Sequence, residues 1–149
     1  MSANTDQVDV RGPRFVAWIT TAVLIATLLA STVSVPVAAA ILGLQTIAFA
    51  IGAALGPRRH PYGTLFAALI APRQGPVTER EPVAPLKFAQ LVGFVFGAVG
   101  TIGFALGAPL IGLIATGFAL FAAYLNAAFG ICLGCQIYPL VARFRRVPA

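Results

Sequence analysis

Residues 15–55, "FVAWITTAVLIATLLASTVSVPVAAAILGLQTIAFAIGAAL", run for 41 positions without a charged side chain. A single straight helix of that length would extend about 60 Å, twice the hydrocarbon thickness of a bilayer. The chain must therefore turn back, and Pro36 marks the place because proline disfavours a helical residue before it and suits the first turn of a new helix. The stretch predicts two membrane-spanning helices joined by a tight turn. A cleaved signal peptide, favoured by the small residues of "VPVAAA", is the alternative, although the apolar run before it exceeds the usual signal core.

The second half of the chain repeats this plan, with an apolar run, a break at Pro109 and another apolar run. Apolar residues make up 59% of the chain and charged residues 9%, whereas a soluble domain has about 25% charged residues. The sequence therefore predicts an all-α polytopic membrane protein of four transmembrane helices in two hairpins, forming one integral membrane domain over 1–149. The predicted spans are 15–35, 37–56, 88–107 and 109–131, and Gly12 and Pro13 are expected to break any helix before the first of them.

The loop between the hairpins, 57–87, is rich in proline and charge. Within it, "YGTLFAALIA" spaces its large apolar residues as one face of a helix but is too short to cross a bilayer. We expect a short interfacial helix in this loop.

All ten basic residues lie outside the predicted spans, in the two terminal segments and the middle loop. Two hairpins place those three segments on one side of the membrane. The positive-inside rule then predicts a multi-pass protein of the cell membrane with a cytoplasmic 57–87 loop and cytoplasmic N- and C-termini. Because the basic residues flank apolar spans and no aromatic-and-basic groove accompanies them, they indicate contact with the lipid bilayer and no nucleic acid.

Small residues recur four apart within the spans, which lets helix backbones approach in lipid. No acidic or basic side chain lies inside a span, which disfavours an ion pump or a transporter. Gln45 and Asn126 predict interhelical hydrogen bonds, with a polar pathway as the alternative, and Trp18, Tyr62 and Tyr138 are expected as interfacial anchors. The glycine pairs expected to pack are Gly52 with Gly56, Gly93 with Gly97, Gly103 with Gly107, and Gly130 with Gly134.

The two cysteines of the chain, Cys132 and Cys135, stand in "GICLGCQIYPL" at the end of the fourth span. On a continuous helix their Cβ atoms would be about 5–6 Å apart, whereas a disulfide prefers about 3.8 Å. Pro139 cannot donate to the carbonyl of Cys135, so a kink at Cys135 is expected. The arginines at 143, 145 and 146 would favour a thiolate, whereas the partial negative charge at the C-terminus of a helix would oppose it. If a helix restarts at Cys132, its N-terminus would favour the thiolate instead.

This CxxC pair has three interpretations. In the first, the pair carries out thiol or sulfur chemistry, and Cys132 and Cys135 are candidate catalytic residues. In the second, the pair binds a metal, although a closed site needs more ligands than these cysteines and His60, the one histidine. In the third, both cysteines are small buried apolar residues. A solvated or loop-bonding role is expected for His60. The sequence predicts no cofactor, leaves a metal site undecided and does not settle whether the chain is an enzyme.

Four stretches together carry a resemblance: "RGPRF", "FAIGAALGPRRHPYGTLF", "EPVAPLKFAQLVGFVFG" and "LNAAFGICLGCQIY". They resemble a bacterial family of small four-span integral membrane proteins of unknown function with a C-terminal LNAxFGxCLGC motif. The resemblance implies a multi-pass protein encoded near thioredoxin-like proteins and rhodanese-type sulfurtransferases, which are therefore the expected partners at the cytoplasmic face. It also favours Cys132 as the attacking sulfur and Cys135 as its resolving partner.

Taken together, these features predict a membrane component of a cytosolic thiol-redox or sulfur-transfer system that acts through the CxxC dithiol. The alternatives are a transporter of a soft metal ion or small sulfur species, and a membrane anchor or assembly partner without chemistry. Substrate, redox partner and oligomeric state are not determined by the sequence.

Overall fold

The computed structural model describes residues 7–146, leaving out the side chains of 145 and 146. Its elements in chain order are β1 Gln7–Asp9, α1 Arg11–Ser31, α2 Val35–Leu55, α3 Pro61–Leu65, β2 Arg80–Pro82, α4 Val83–Ala105, α5 Pro109–Phe129 and α6 Leu133–Arg146. After α3 the chain continues as a π-helical turn, Phe66–Ile70, and a 3₁₀ turn, Ala71–Arg73. The predicted fold class is confirmed, including the short helix in the middle loop.

The helices α1, α2, α4 and α5 have the length and composition to cross a membrane. At 21 to 23 residues each, they extend about 31–35 Å, close to the thickness of a bilayer core. Ser34 caps the start of α2, where its side chain accepts the backbone N–H of Val37, and Pro36 lies in the first turn. Large apolar side chains on the outside of these helices, such as Leu44 and Phe118, stay exposed as lipid contact requires.

The first helix begins earlier than the sequence indicated. Gly12 and Pro13 were expected to keep the helix from starting before Phe15, yet both lie inside the first turn of α1. The prediction was wrong because a first-turn residue has no intrahelical acceptor for its N–H, so proline costs nothing there. The N-terminal residues 1–6 and the C-terminal residues 147–149, both predicted to be cytoplasmic, lie outside the described residues.

A short antiparallel ribbon, which the sequence did not indicate, joins residues 7–9 to the middle loop. In it β1 pairs with β2, with Val8 opposite Glu81. Asp9 accepts hydrogen bonds from Arg11, and this ion pair has an N–O distance of 2.7 Å. The same guanidinium holds the pKa of Asp9 below its usual value. The ribbon fixes the beginning of α1 beside the beginning of α4.

The four long helices pack as a square in the order α1, α2, α4, α5. Glycines on α4 let the neighbouring helices approach, as the sequence predicted for Gly93, Gly97 and Gly103. A Cβ atom on Gly93 would lie 2.6 Å from the ring of Phe49 in α2, and one on Gly103 would lie 2.9 Å from the backbone nitrogen of Gly112 in α5. By contrast, three of the expected packing glycines have positive φ angles and form turns: Gly56, Gly107 and Gly130.

Replacing Gly103 by alanine should destabilise the α4–α5 hairpin, because the methyl group meets backbone that cannot move aside freely. We expect a loss of about 1–3 kcal/mol in the free energy of unfolding. Unfolding in mixed micelles with increasing SDS measures it. The matched control is Gly117→Ala in α5, where a Cβ atom meets nothing within 4 Å. Equal stability of the two variants would contradict the packing described here.

Candidate functional site

The helix α5 ends immediately before the cysteines. Gly130 adopts the left-handed conformation, with φ 70° and ψ 18°, and its N–H donates to the carbonyl of Asn126. Residues with a Cβ rarely adopt this conformation, whereas glycine adopts it freely. Three residues, 130–132, then leave the helical path before α6 begins at Leu133. This non-helical segment, 130–132, is called the cysteine loop below.

Cys132 occupies the position just before the first turn of α6. The backbone N–H of Cys135 donates to Cys132 Sγ at 3.1 Å, so the sulfur caps the start of the helix. The two Cα atoms are 5.1 Å apart and the two sulfurs lie at disulfide-bonding distance. The structure therefore brings together the two residues that the sequence singled out.

The location of the backbone break corrects the sequence interpretation. A continuous helix loosened at Cys135 by Pro139 was expected, but α5 has already ended at Phe129, and α6 is one helix that contains Pro139. The left-handed turn at Gly130 accounts for the difference, because it stops the helix before either cysteine is reached. The pair thus lies at the N-terminus of a new helix and not at the C-terminus of a span. In this arrangement the nearby helix end favours a thiolate and does not oppose it.

The glycine inside the CxxC motif holds α6 against α4. Gly134 is buried, and a Cβ atom there would lie 2.7 Å from the Cα of Ala89. One turn further along α6, the ring of Tyr138 packs against Phe88 at a centroid distance of 5.8 Å. These contacts fix the first turn of α6, and with it the cysteine pair, on the surface of α4.

The two cysteines face different surroundings. Cys135 packs against a small apolar cluster of Val8, Val83 and Leu86, next to the ribbon. Cys132 lies in the wall of a cavity of about 370 Å³ inside the bundle. Both side chains are partly buried. Of the two, Cys132 is the sulfur presented to the cavity.

The cavity occupies the end of the bundle at which α1 and α4 begin and α2 and α5 end. Most of its wall is apolar, and four phenylalanines contribute to it: Phe49, Phe96, Phe118 and Phe121. The polar residues of the wall include Thr20, His60, Gln90 and Asn126. Asn126 and Gln90 therefore border an internal space.

Gln45 instead accepts a hydrogen bond from the Tyr62 hydroxyl at 2.7 Å. Tyr62 thus directs its hydroxyl into the bundle, which the sequence interpretation as an interfacial anchor missed.

His60 is buried, with 1% of its surface exposed, and not solvated. Its Nδ1 accepts the backbone N–H of Tyr62 at 3.1 Å, which confirms the expected loop-bonding role and leaves the ring proton on Nε2. Burial lowers the pKa of His60 to about 4, and the neighbouring Gln90 opposes the shift by a smaller amount. Gly52 makes room for both side chains, since a Cβ atom there would lie 2.6 Å from the His60 ring.

The positive charge beside the cysteine loop comes from Arg14 and not from the C-terminal arginines that were expected to supply it. Arg14 of α1 donates to the carbonyl of Ala127 at 3.2 Å, and its guanidinium lies close to Gly130. A cation at this point compensates the partial negative charge of the end of α5. Of the predicted arginines, Arg143 is exposed on α6, and the side chains of 145 and 146 lie outside the described part of the chain.

No group of three or more histidine, cysteine, aspartate or glutamate side chains that could hold a metal ion occurs among residues 7–146. His60 and Cys132 both line the cavity, and they are the potential soft-metal ligands there.

These features define the class: a small polytopic four-helix membrane protein that carries a CxxC pair between its last span and an amphipathic C-terminal helix. The chain belongs to the family DUF4395, described as a domain of unknown function, whose profile matches residues 8–143 and so includes both cysteines. Comparison with curated proteins and with solved structures gives no match.

Because His60 is buried, we expect the free energy of unfolding to fall in acid. The unfolded state takes up the imidazole proton near pH 6.5, whereas the folded state does so only near pH 4, so protonation favours unfolding between these values. The full loss, reached at about pH 4, is about 3 kcal/mol. His60→Asn should remove this component, because the asparagine oxygen can still accept the N–H of Tyr62 but does not titrate. Unfolding midpoints in detergent between pH 7 and pH 4 measure it, and identical pH slopes for the two proteins would contradict the assignment.

Proposed function

We propose that the protein is a membrane component of a cytosolic thiol-redox or sulfur-transfer system that acts through Cys132 and Cys135. The observation that carries the proposal is the placement of the pair: the sulfurs are at bonding distance, at the N-terminus of α6, with Cys132 in the wall of an internal cavity. A pair serving only as packing needs neither the helix break nor the cavity.

Cys132 is the attacking sulfur in this proposal. It precedes the first turn of α6, whose backbone N–H groups stabilise a thiolate, and the N–H of Cys135 already donates to it. The Cys132 thiolate attacks one sulfur of a partner disulfide and releases the other sulfur as a thiolate. Cys135 then attacks Cys132, which frees the partner as a dithiol and leaves the pair oxidised. Run in reverse, the same steps reduce the pair.

The partner expected from this chemistry is a thioredoxin-like protein or a sulfurtransferase at the cytoplasmic face of the cell membrane. The orientation follows from the positive-inside rule, since the basic residues lie outside the four apolar stretches. The exposed outer surface of α6, which includes Arg143 and Phe144, continues from the cysteine pair and supplies a surface for such a partner.

Substitution of the resolving cysteine should trap the partner. Cys135→Ser leaves Cys132 able to form a mixed disulfide but unable to release it, so an adduct with a cytosolic protein is expected on non-reducing gels. The control is Cys132→Ser, which should give at least about tenfold less adduct because the remaining cysteine packs against the apolar cluster. No adduct from Cys135→Ser under reducing, neutral or oxidising conditions would contradict the proposal.

The reactivity of the reduced thiols tests the same assignment without a partner. In single-cysteine variants, Cys132 should react with iodoacetamide at pH 7 roughly tenfold faster than Cys135, because the Cys132 sulfur accepts a backbone N–H at the start of α6 whereas Cys135 packs against the apolar cluster. Loss of free thiol with time measures both rates. Equal rates, or a faster Cys135, would show that Cys132 is not the attacking sulfur.

Transport of a small sulfur species is the second candidate, favoured by the cavity that Cys132 borders within the membrane-spanning bundle. Uptake into vesicles that depends on the two cysteines would support it. Uptake that is unchanged in the Cys132→Ala, Cys135→Ala protein would dismiss it.

A further inference from the structure

The internal cavity has the properties of a binding site for a flat, uncharged, largely apolar molecule. Its volume of about 370 Å³ falls in the range of small-molecule pockets, roughly 300–1,000 Å³. Phenylalanine rings from α2, α4 and α5 border it. Among the residues that line it in the described part of the chain there is no arginine, lysine, aspartate or glutamate, which disfavours a charged ligand.

Two buried hydrogen-bond donors in the cavity wall make no well-formed hydrogen bond among residues 7–146: the hydroxyl of Thr20, which is 4% exposed, and Nε2 of His60, which is 1% exposed. Oε1 of the neighbouring Gln90 is likewise without a well-formed hydrogen bond, so Nε2 of His60 can donate to Gln90 or to a ligand, whereas the Thr20 hydroxyl has no partner in this part of the chain. The adjacent residue Thr21 instead donates to the carbonyl of Ala17 at 2.7 Å. A buried donor without a partner costs about 1–3 kcal/mol, so a ligand with acceptor oxygens at these two points recovers that cost.

Part of the cavity wall that α5 supplies is well exposed. Phe118 and Phe121 line the cavity and are also 60% and 59% exposed. In a membrane, this side of α5 faces lipid. A ligand dissolved in the bilayer can therefore reach the cavity from the side, without crossing the aqueous phase.

We propose that the cavity binds a membrane quinone, and that the quinone accepts electrons from the Cys132–Cys135 dithiol. A quinone combines what the wall requires: a flat apolar ring, carbonyl oxygens that accept from Thr20 and His60, and solubility in lipid. Its redox capacity also matches the pair. Oxidation of the dithiol forms one S–S bond and releases two electrons and two protons, and the quinone takes up both to become a quinol. This redox role rests on the proposed thiol function.

Binding is tested first, with the redox step removed by Cys132→Ser and Cys135→Ser. The probe is decylubiquinone, a short-chain quinone whose ring positions are all substituted, and its affinity is read from the rise in melting temperature with concentration. In this background, Thr20→Val should weaken binding about five- to tenfold. The matched control, Thr21→Val, should bind as the parent does, because Thr21 is not among the residues that line the cavity and its hydroxyl already donates to Ala17.

A second pair of variants separates the two nitrogens of His60. His60→Asn retains an acceptor for the N–H of Tyr62 but loses the Nε2 donor, and it should weaken binding by a similar factor. His60→Gln places an amide N–H near the position of Nε2 and should bind more tightly than His60→Asn. Equal affinity of all these variants would show that the quinone only partitions into the detergent, and would overturn the proposal, as would the absence of any saturable shift.

Electron transfer is tested with the intact cysteines. The reduced wild-type protein, mixed with decylubiquinone, should yield one quinol for every two thiols lost, and Thr20→Val should slow this about five- to tenfold at subsaturating quinone. If the Cys135→Ser protein traps a partner but the wild type forms no quinol, the quinone proposal fails and the thiol function stands. If neither the adduct nor the quinol forms, both fail.

Discussion

The close approach of α6 to α4 at Gly134 is the contact on which the candidate site depends. Without a side chain, Gly134 brings the first turn of α6 onto Ala89, and both cysteines are anchored in that turn or directly before it. The site also depends on the left-handed turn at Gly130. This turn ends α5 at Phe129, so that a new helix can begin at Leu133. Any larger residue at 134 would lift the cysteine pair away from the cavity and from the apolar cluster behind it.

The middle loop takes part in the interior of the bundle. His60 and Tyr62, at the start of α3, are held there by a hydrogen bond to each other and by the bond from Tyr62 to Gln45 of α2. The loop thereby closes the end of the bundle where the cavity lies. Its buried imidazole stays neutral, which suits a hydrogen-bond donor in an apolar wall better than a charged group would.

The sequence predicted the features that depend on the bilayer: four apolar helices, the turn before Pro36 and the close approach of glycines such as Gly93 and Gly103 to neighbouring helices. These follow from the length and composition of each segment, so they can be read locally. The sequence also singled out Cys132 and Cys135. It did not predict that Gly130 rather than Pro139 sets the backbone break, because several glycines and a proline nearby could each have done so. The β1–β2 ribbon and the cavity were missed because both depend on contacts between distant parts of the chain, such as Val8 with Glu81 and His60 with Gln90.

A Cys132–Cys135 pair that changes redox state as the protein works should be found in more than one thiol state in living cells. Cells are quenched in acid, free thiols are tagged with a maleimide that adds mass, and the fractions of tagged and untagged protein are read from a gel. Both dithiol and disulfide forms are expected, with their ratio shifting when the cells are exposed to an oxidant or a reductant. A pair that stays entirely in one form under every condition would rule out a redox role for the two cysteines.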